Sequence, residues 1–381
     1  MIQPKQNNHN MERRHIIFYG SLPTSNSIGG GEVGNARTIR MLERNCYSVT
    51  IIRHLKPSMG WSRLIILFSY PFRLIAEWLI FIVRLSFNKR NSLVHISGFA
   101  GKYTLFNEYI LIHLAKLLGY NVLYELRGGA VSNTWETGGR LSRAQFSSNV
   151  NCAIAIFSQG KENINLIQSL TKNPVFHYPN CVEESFAPRF CPQKQTGVWN
   201  ILYYGRLEEY KNIEIIVNAV CIVQKTVGNL TLTLVGDGYH SYVEKIRLML
   251  TEKLQPNSFS LFPACKHSEL KNLLADKHFF IFPSAQPFEG QSNALTESMS
   301  FGIVPIASPQ GFNRSTIGND ALIVESYTAD EYAAKIIEII QSGMYSELSS
   351  SIFERYFSHY SQSVVEKNLI GFYDTVWGLI K

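Results

Sequence analysis

Short runs of β-branched and aromatic residues recur along the chain and alternate with longer stretches whose apolar residues return every three to four positions. That alternation is the mark of parallel β-α-β construction. A first series of strands is predicted at HIIFYG (15–20), SVTIIRH (48–54), SLVHIS (92–97), NVLYEL (121–126), NCAIAIFS (151–158) and PVFHYP (174–179). A second follows at WNILYYG (199–205), LTLTLVG (230–236), SFSLFP (258–263), HFFIFPS (278–284), GIVPIAS (302–308) and ALIV (321–324). Between them EESFAPRFCPQKQTGV carries two prolines and no apolar periodicity, so it reads as a linker with the boundary near residue 190. The pattern predicts two α/β domains, 15–185 and 199–360, a linker at 186–198 and a C-terminal helix at 361–381. The polar start, residues 1–14, has no apolar core or cleavage site and is expected to hang free.

Two open parallel sheets joined this way direct the C-terminal ends of their strands at one crevice, where such proteins bind ligands. The chemistry is therefore expected in strand-to-helix loops.

One segment departs from the pattern: WSRLIILFSYPFRLIAEWLIFIVRLSFNKR, residues 61–90. Its uncharged runs, broken by Arg63, Arg73, Glu77 and Arg84, are shorter than the ~20 apolar residues a membrane span needs, so crossing is not expected. At ~100° per residue its polar residues gather on one side and leave a wide apolar face with Trp61, Trp78 and Phe81. Pro71 is expected to divide it into two helices. Two readings stand: a pair of core-packing helices, or an amphipathic helix lying in a lipid interface.

Composition narrows the classes. A chain of 381 residues, 45% hydrophobic and 12% aromatic, supports two separate cores. Six cysteines without a C-x-x-C fit a reducing cytosol, and ten histidines without a close ligand pair give no metal-site motif. A net charge of +7 implies an acidic partner, but no basic tail or aromatic-interleaved basic motif points to nucleic acid.

Four loops carry unusual residues. In YYGRLEEYKNIEIIVNAV a strand ends at Gly205, Arg206 follows, and Lys211 stands near a helix start, a pairing that suits a diphosphate; solvated partners for Glu208 and Glu209 are the alternative. In FPSAQPFEGQSNALTESMSFG, Glu289 lies on the loop and Glu297 just over one turn into a helix starting near Ser292, so two carboxylates flank a helix N-terminus. Vicinal hydroxyls of a sugar and a ribose would suit those carboxylates, with Gly290, Gln291, Ser292 and Asn293 about the phosphates between them. A glycine-rich loop, SNSIGGGEVGNA, places Gly29, Gly30 and Gly31 before the first helix. Gly29, Gly31 and Gly34 form a formal G-x-G-x-x-G. It stands about eight residues beyond the strand, and the second strand ends in IIRH instead of an acidic ribose ligand, which argues against a dinucleotide oxidoreductase. The fourth loop, YELRGGAVSNTW, sets Arg127 at a strand end before Gly128 and Gly129.

At EGQSNALTESMSFG and GRLEEYKN the chain resembles the GT-B glycosyltransferases of family 4, retaining enzymes that use nucleotide-sugar donors. LVGDG (234–238), HYPNCV (177–182), SELKNLLADKHFFIFPS (268–284) and SPQGFNRSTIGNDALIV (308–324) extend the likeness over nearly the whole chain. The resemblance implies two Rossmann-like domains facing across a cleft, the C-terminal helices packing back on the N-terminal domain. It implies that Arg206 and Lys211 bind the donor diphosphate, Glu289 the transferred sugar, Glu297 the ribose, and the backbone of Gly290–Asn293 the phosphates. It also implies that Gly29, Gly30 and Gly31 approach acceptor or phosphate.

Many members of that family place a His where this chain has Arg127, and Arg is a poor proton acceptor. Arg127 is thus a candidate for phosphate or an acidic acceptor group, while His95 reads as a satisfied structural histidine. The expected activity is transfer from a UDP- or GDP-sugar to a glycan or lipid-linked acceptor, without a metal or other cofactor. The expected setting is bacterial surface-polysaccharide synthesis, in O-antigen, capsule or lipopolysaccharide assembly, on the cytoplasmic face of the inner membrane. A nucleotide-sugar epimerase, a soluble small-molecule glycosyltransferase and a binding-only protein are the alternatives.

Overall fold

The computed structural model describes residues 14–24, 29–57, 61–88, 91–101, 104–195 and 197–380. Strands β1 (His15–Gly20), β2 (Ser48–Arg53), β3 (Leu93–Gly98), β4 (Asn121–Leu126), β5 (Ala155–Ser158) and β6 (Val175–His177) form a sheet ordered β2-β1-β3-β4-β5-β6. Strands β7 (Trp199–Tyr204), β8 (Leu230–Val235), β9 (Phe259–Phe262), β10 (Phe279–Phe282) and β11 (Val304–Ala307) form another, ordered β11-β10-β7-β8-β9. All of these pairings are parallel. Each order reverses beside the first strand of its domain, which opens a crevice at the strand ends.

The first sheet is accompanied by α1 (Gly30–Arg44), α2 (Arg63–Ser86), α3 (Leu105–Leu117), α4 (Ala130–Thr137), α5 (Arg140–Cys152) and α6 (Ile164–Leu170). The second carries α7 (Ile213–Val227), α8 (His240–Lys253), α9 (His267–Leu274), α10 (Asn293–Met299), α11 (Asn313–Ile317), α12 (Ala329–Gln341) and α13 (Tyr345–His359). Helices cover both faces of each sheet, so central strands such as Ile16-Ile17-Phe18 are buried on both sides and read as unbroken apolar runs.

The last helix, α14 (Gln362–Leu379), returns to the first domain as expected. Val365, Leu369, Tyr373 and Val376, spaced by four and three, close one core cluster with Ile16, Phe18 and Phe157. Of the start, residues 1–13 lie outside the described residues; Arg14 pairs with Asp374 of α14 and stands over the Trp377 ring.

Three expectations need correction. Residues 151–154 do not begin a strand, because Asn151 and Cys152 finish α5 and pairing starts only at Ala155. ALIV is no strand either: Asn319 caps a 3₁₀ turn at Asp320–Leu322, and the chain then makes a single bridge between Ile323 and Ala307. Pro71 does not split the 61–90 segment. It deletes one backbone bond, yet the side chains of Ser69 and Arg73 donate to the Ile66 carbonyl beside the gap at 3.1 and 3.3 Å. Beyond Pro71 the helix packs Leu74, Phe81 and Leu85 inward, so α2 runs unbroken.

A buried carboxylate fastens α2 at its middle. Glu77 accepts from Tyr19 Oη, from Asn107 Nδ2 at 2.7 Å and from the Leu55 backbone N–H at 2.9 Å, with His54 Nδ1 3.0 Å away. Burial alone would raise the Glu77 carboxyl, but His54, Tyr19 and Leu55 together hold it below the ordinary carboxylate value. Its contribution to stability is therefore complete above the unfolded-state value of ~4.3 and is lost as pH falls through the lower folded value. Replacing Glu77 by Gln should lower the melting temperature at neutral pH. It should also flatten the acid limb of a stability-against-pH curve between about pH 5 and pH 3, measured by urea denaturation.

Candidate active site

Both sets of strand ends open on one cleft of about 920 Å³. Its walls include Gly29–Gly31, Arg37, Arg127 and Asn180 on one side and Arg206, Lys211, His267, Glu289–Ala294 and Glu297 on the other. That volume lies within the range, roughly 300–1,000 Å³, of sites that enclose a whole small molecule.

Glu289 is delivered by the loop after β10. Its carboxylate is gripped by Lys211 Nζ and accepts from Ser284 Oγ at 2.6 Å, while Lys211 also donates to Ser284 Oγ at 3.2 Å. Lys211 stands just ahead of α7, near the helix start as expected. It closes a 3₁₀ turn at Glu209–Lys211, and Asn212, at φ 52° with its side chain on the Pro283 carbonyl, then starts the helix. The turn buries Lys211 and aims it across at β10, away from Glu208 and Glu209. Arg206 behaves differently: its side chain is 71% exposed at the cleft edge and pairs with Glu208 at 3.2 Å. It is the more exposed cation of the two, and its surface ion pair is the weaker hold.

Glu297 lies in α10, whose N-cap is Ser292, accepting from the Leu295 N–H at 3.3 Å. Its carboxylate meets Tyr204 Oη at 3.1 Å, His267 Nε2 at 3.0 Å and Arg37 of the opposite domain at 3.5 Å. His267 stacks on Phe186, centroids 4.1 Å apart. Every partner presents a donor to the carboxylate, so Glu297 is kept as an acceptor facing the cleft.

The four residues after Glu289 all border the cleft, and Gln291, the buried one, also joins the domains: its Oε1 accepts from Asn180 N at 2.6 Å, and Asn180 Nδ2 reaches Asn293 Oδ1 at 3.0 Å. Gln159 Oε1 accepts from both Gly128 N at 3.1 Å and Gln291 N at 3.3 Å.

Arg127 is at the cleft floor, but its guanidinium is 3% exposed and already committed. It pairs with Glu125 at 2.7 Å and donates to Asn180 at 2.9 Å and Thr38 at 2.9 Å. Glu125, which burial would push up, is held below the usual carboxylate range by Arg127 and His95. His95 is fully buried between Glu125 at 2.9 Å and Tyr373 at 2.5 Å, the structural histidine expected.

The glycines have steric work that the formal dinucleotide motif did not suggest. A Cβ on Gly34 would stand 2.1 Å from Arg127 Nη1, and one on Gly129 would stand 2.1 Å from the Glu289 carbonyl oxygen. Gly128–Gly129 thus lets the two domains' loops touch next to Glu289. Residues 25–28 of the glycine-rich loop lie outside the described residues; Gly29, Gly30 and Gly31 line the cleft, with Glu32 closing back on the Gly29 N–H at 2.6 Å.

Arg37, His267, Tyr204, Gln159 and Asn180 are site residues that sequence reasoning missed. Asn180 lay within the landmark HYPNCV and Tyr204 within YYGRLEEYKNIEIIVNAV, but neither was singled out. The others sit on helices or strand ends whose neighbours are set by the packing of the two domains. Among the described residues no three His, Cys, Asp or Glu side chains gather as a metal site.

Residues 188–355 match the family model described as "Glycosyl transferases group 1". No curated protein sequence matches the chain. Among solved structures, the sucrose-phosphate synthase of Thermosynechococcus elongatus superposes with a TM-score of 0.73 at 14% identity, over 96% of this chain and 100% of that one. HepE of Anabaena in complex with UDP gives 0.68 at 12%, over 95% and 100%. TarM gives 0.61 at 17% over 79% of this chain, which spans only 58% of TarM's length. The fold is GT-B: two Rossmann-like domains about a cleft.

The buried Lys211–Glu289 pair generates a prediction. Lys211→Met leaves a carboxylate buried with only a hydroxyl partner and should cost about 3–5 kcal/mol of stability. Lys211→Met/Glu289→Gln should cost clearly less than the sum of the single changes in a double-mutant cycle followed by urea denaturation. Gly129→Ala should displace Glu289 and remove most activity while leaving the melting temperature much less affected than Lys211→Met does.

Proposed function

We propose that this protein transfers a sugar from a nucleoside-diphosphate sugar to a hydroxyl of a glycan or lipid-linked oligosaccharide, with retention of configuration, as a member of glycosyltransferase family 4. The observation that carries the reading is the placement of Glu289 and Glu297 on either side of the loop that precedes α10, each exposing acceptors to one cleft. The family match over residues 188–355 and the shared GT-B fold support glycosyl transfer. HepE has been solved with UDP-glucose, and S. aureus TarM with UDP and α-GlcNAc-glycerol, which supports a nucleotide-sugar donor for this cleft as well.

In this reading the ribose hydroxyls donate to Glu297, replacing Arg37 or His267, and the sugar hydroxyls donate to Glu289. Lys211, released in part from Glu289, and the exposed Arg206 share the charge of the diphosphate as it leaves. Because Glu289 is held by Lys211 and Ser284, it orients the sugar instead of attacking it. The departing phosphate oxygen takes the proton of the incoming hydroxyl on the same face of the sugar. Arg127, whose two terminal nitrogens are engaged by Glu125, Thr38 and Asn180, shapes the floor beneath this reaction and acts through Asn180. No metal enters the scheme. The biological setting we propose is surface-polysaccharide synthesis, in O-antigen, capsule or lipopolysaccharide assembly, with the enzyme peripheral to the cytoplasmic face of the inner membrane.

The test is thermal unfolding with UDP, GDP, ADP and NADP on wild type and Glu297→Ala. A nucleoside diphosphate at ~100 times its dissociation constant adds about 2.7 kcal/mol. One of UDP or GDP should stabilise wild type, and Glu297→Ala should weaken its affinity roughly 10- to 100-fold, the worth of hydrogen bonds to a charged acceptor. Glu289→Ala should bind the same diphosphate nearly normally yet lose turnover of the nucleotide-sugar. Stabilisation by NADP alone would overturn the reading, and conversion of the donor sugar without any acceptor would assign an epimerase instead.

A further inference from the structure

The 61–90 segment gives rise to a face that nothing in the donor site explains. In α2 the stretch Leu64–Ser86, 23 residues with mean hydropathy 1.8, is long and apolar enough to cross a membrane, and only 17% of its most apolar window is buried. Leu64, Leu67, Phe68, Phe72, Leu79 and Val83 are each at least half exposed. Adjacent α3 extends the face with Phe106, in edge contact with Trp78, and with Leu117 at its end. Isolated apolar residues on a surface are ordinary, whereas a contiguous patch of this kind marks an interaction site.

We infer that α2 and α3 form a platform that docks in the plane of an anionic lipid surface, with α2 lying along the interface and not through it. Topology excludes a span. The helix leaves β2 and enters β3, and both pair with β1 in one sheet, so a crossing would put neighbouring strands on opposite sides of the bilayer. Glu77, at the middle, is fixed to Tyr19, Asn107 and Leu55, while Leu74, Phe81 and Leu85 belong to the interior of the domain. From Leu74 to Leu85 one side of α2 is thus fixed to protein and the other is left to lipid.

Charge selects the partner. The acids of α2 and α3, Glu77 and Glu108, are both turned inward and buried, whereas Arg84 and Lys116 are exposed. The exposed apolar residues of α2 and α3 are therefore accompanied on the same two helices by exposed cations and by no exposed carboxylate, a combination complementary to anionic headgroups over an acyl layer. Since α2 starts beyond the C-terminal end of β2, its Leu64–Phe72 half lies towards the cleft. The connection before it runs from His54 and Leu55 at Glu77 to Lys56, which pairs with Glu32 beside the glycines of the cleft wall. Docking by this face would set the acceptor side of the cleft next to the bilayer; only that purpose rests on the transferase reading.

Flotation of the full chain with phosphatidylcholine vesicles, and with vesicles rich in phosphatidylglycerol, tests the inference. Wild type should bind the anionic vesicles and bind less as salt rises. Phe68→Ser/Phe72→Ser/Leu79→Ser should lower binding by about tenfold or more. Arg84→Glu/Lys116→Glu should lower it on anionic vesicles in particular. Unchanged thermal shifts with the diphosphate nucleotide would show that both variants are folded and that docking is separate from donor binding. Failure of wild type to bind either vesicle, or equal binding by the triple variant, overturns the inference. So does a wild-type dimer in sedimentation equilibrium that the triple variant converts to monomer, since the face would then belong to a second copy. Vesicle binding without any nucleotide shift would sink the donor reading and leave the docking face standing.

Discussion

A carboxylate removed from water must be met by cations and donors, and this one constraint organises the molecule. Glu77 ties α2 to the first sheet, Glu125 locks Arg127 and His95 beneath the cleft, and Glu289 and Glu297 face the cleft itself. The first two have side chains only 2% and 1% exposed and spend their acceptors on the protein. Glu289 and Glu297 are also paired, but at 12% and 6% exposure they border open space and can exchange partners for hydroxyls. The same chemistry thus serves as fastening in one place and, in the proposed function, as recognition in another, and access to the cleft makes the difference.

The two cations expected at the diphosphate illustrate how the fold separates similar residues. Lys211 is folded inward by a 3₁₀ turn and a left-handed Asn212, so it is preorganised against Glu289. Arg206, five residues earlier, remains mostly exposed at the rim. In the proposed reaction the buried cation holds the carboxylate that would face the sugar, and the exposed one, paired with Glu208 here, would meet the phosphate as it leaves. Across the cleft, Asn180, Gln291 and Gln159 stitch the domains, and Gly129 allows the contact beside Glu289. Donor loop and N-terminal wall are consequently held as one surface, and movement between domains would alter both.

The apolar platform follows a different logic. In most helices of this chain the apolar stripe is consumed by a sheet, but α2 has apolar residues around nearly its whole circumference and only one sheet to cover them. The inward-turned Glu77 and Glu108 leave that surplus face without negative charge.

The amino-acid sequence by itself determined the parallel α/β class, most strand positions, the helical C-terminal segment, and the placement of Glu289 and Glu297 about a helix start. These are written in short-range periodicity and in local turn chemistry, which neighbouring residues specify. Where periodicity was ambiguous it misled: ALIV looks like a strand but makes one bridge, and Asn151-Cys152 belongs to the preceding helix. Only tertiary structure decided that Pro71 is tolerated within a single helix, because carbonyl partners and inward packing offset the lost bond. It alone showed that Arg127 is buried and paired with Glu125, that Gly34 makes room for it, and that Arg37 and His267 converge on Glu297. Most of these contacts join residues far apart in sequence, and Arg37–Glu297 joins opposite domains, so no local pattern records a distance that is set by how elements pack around a cleft.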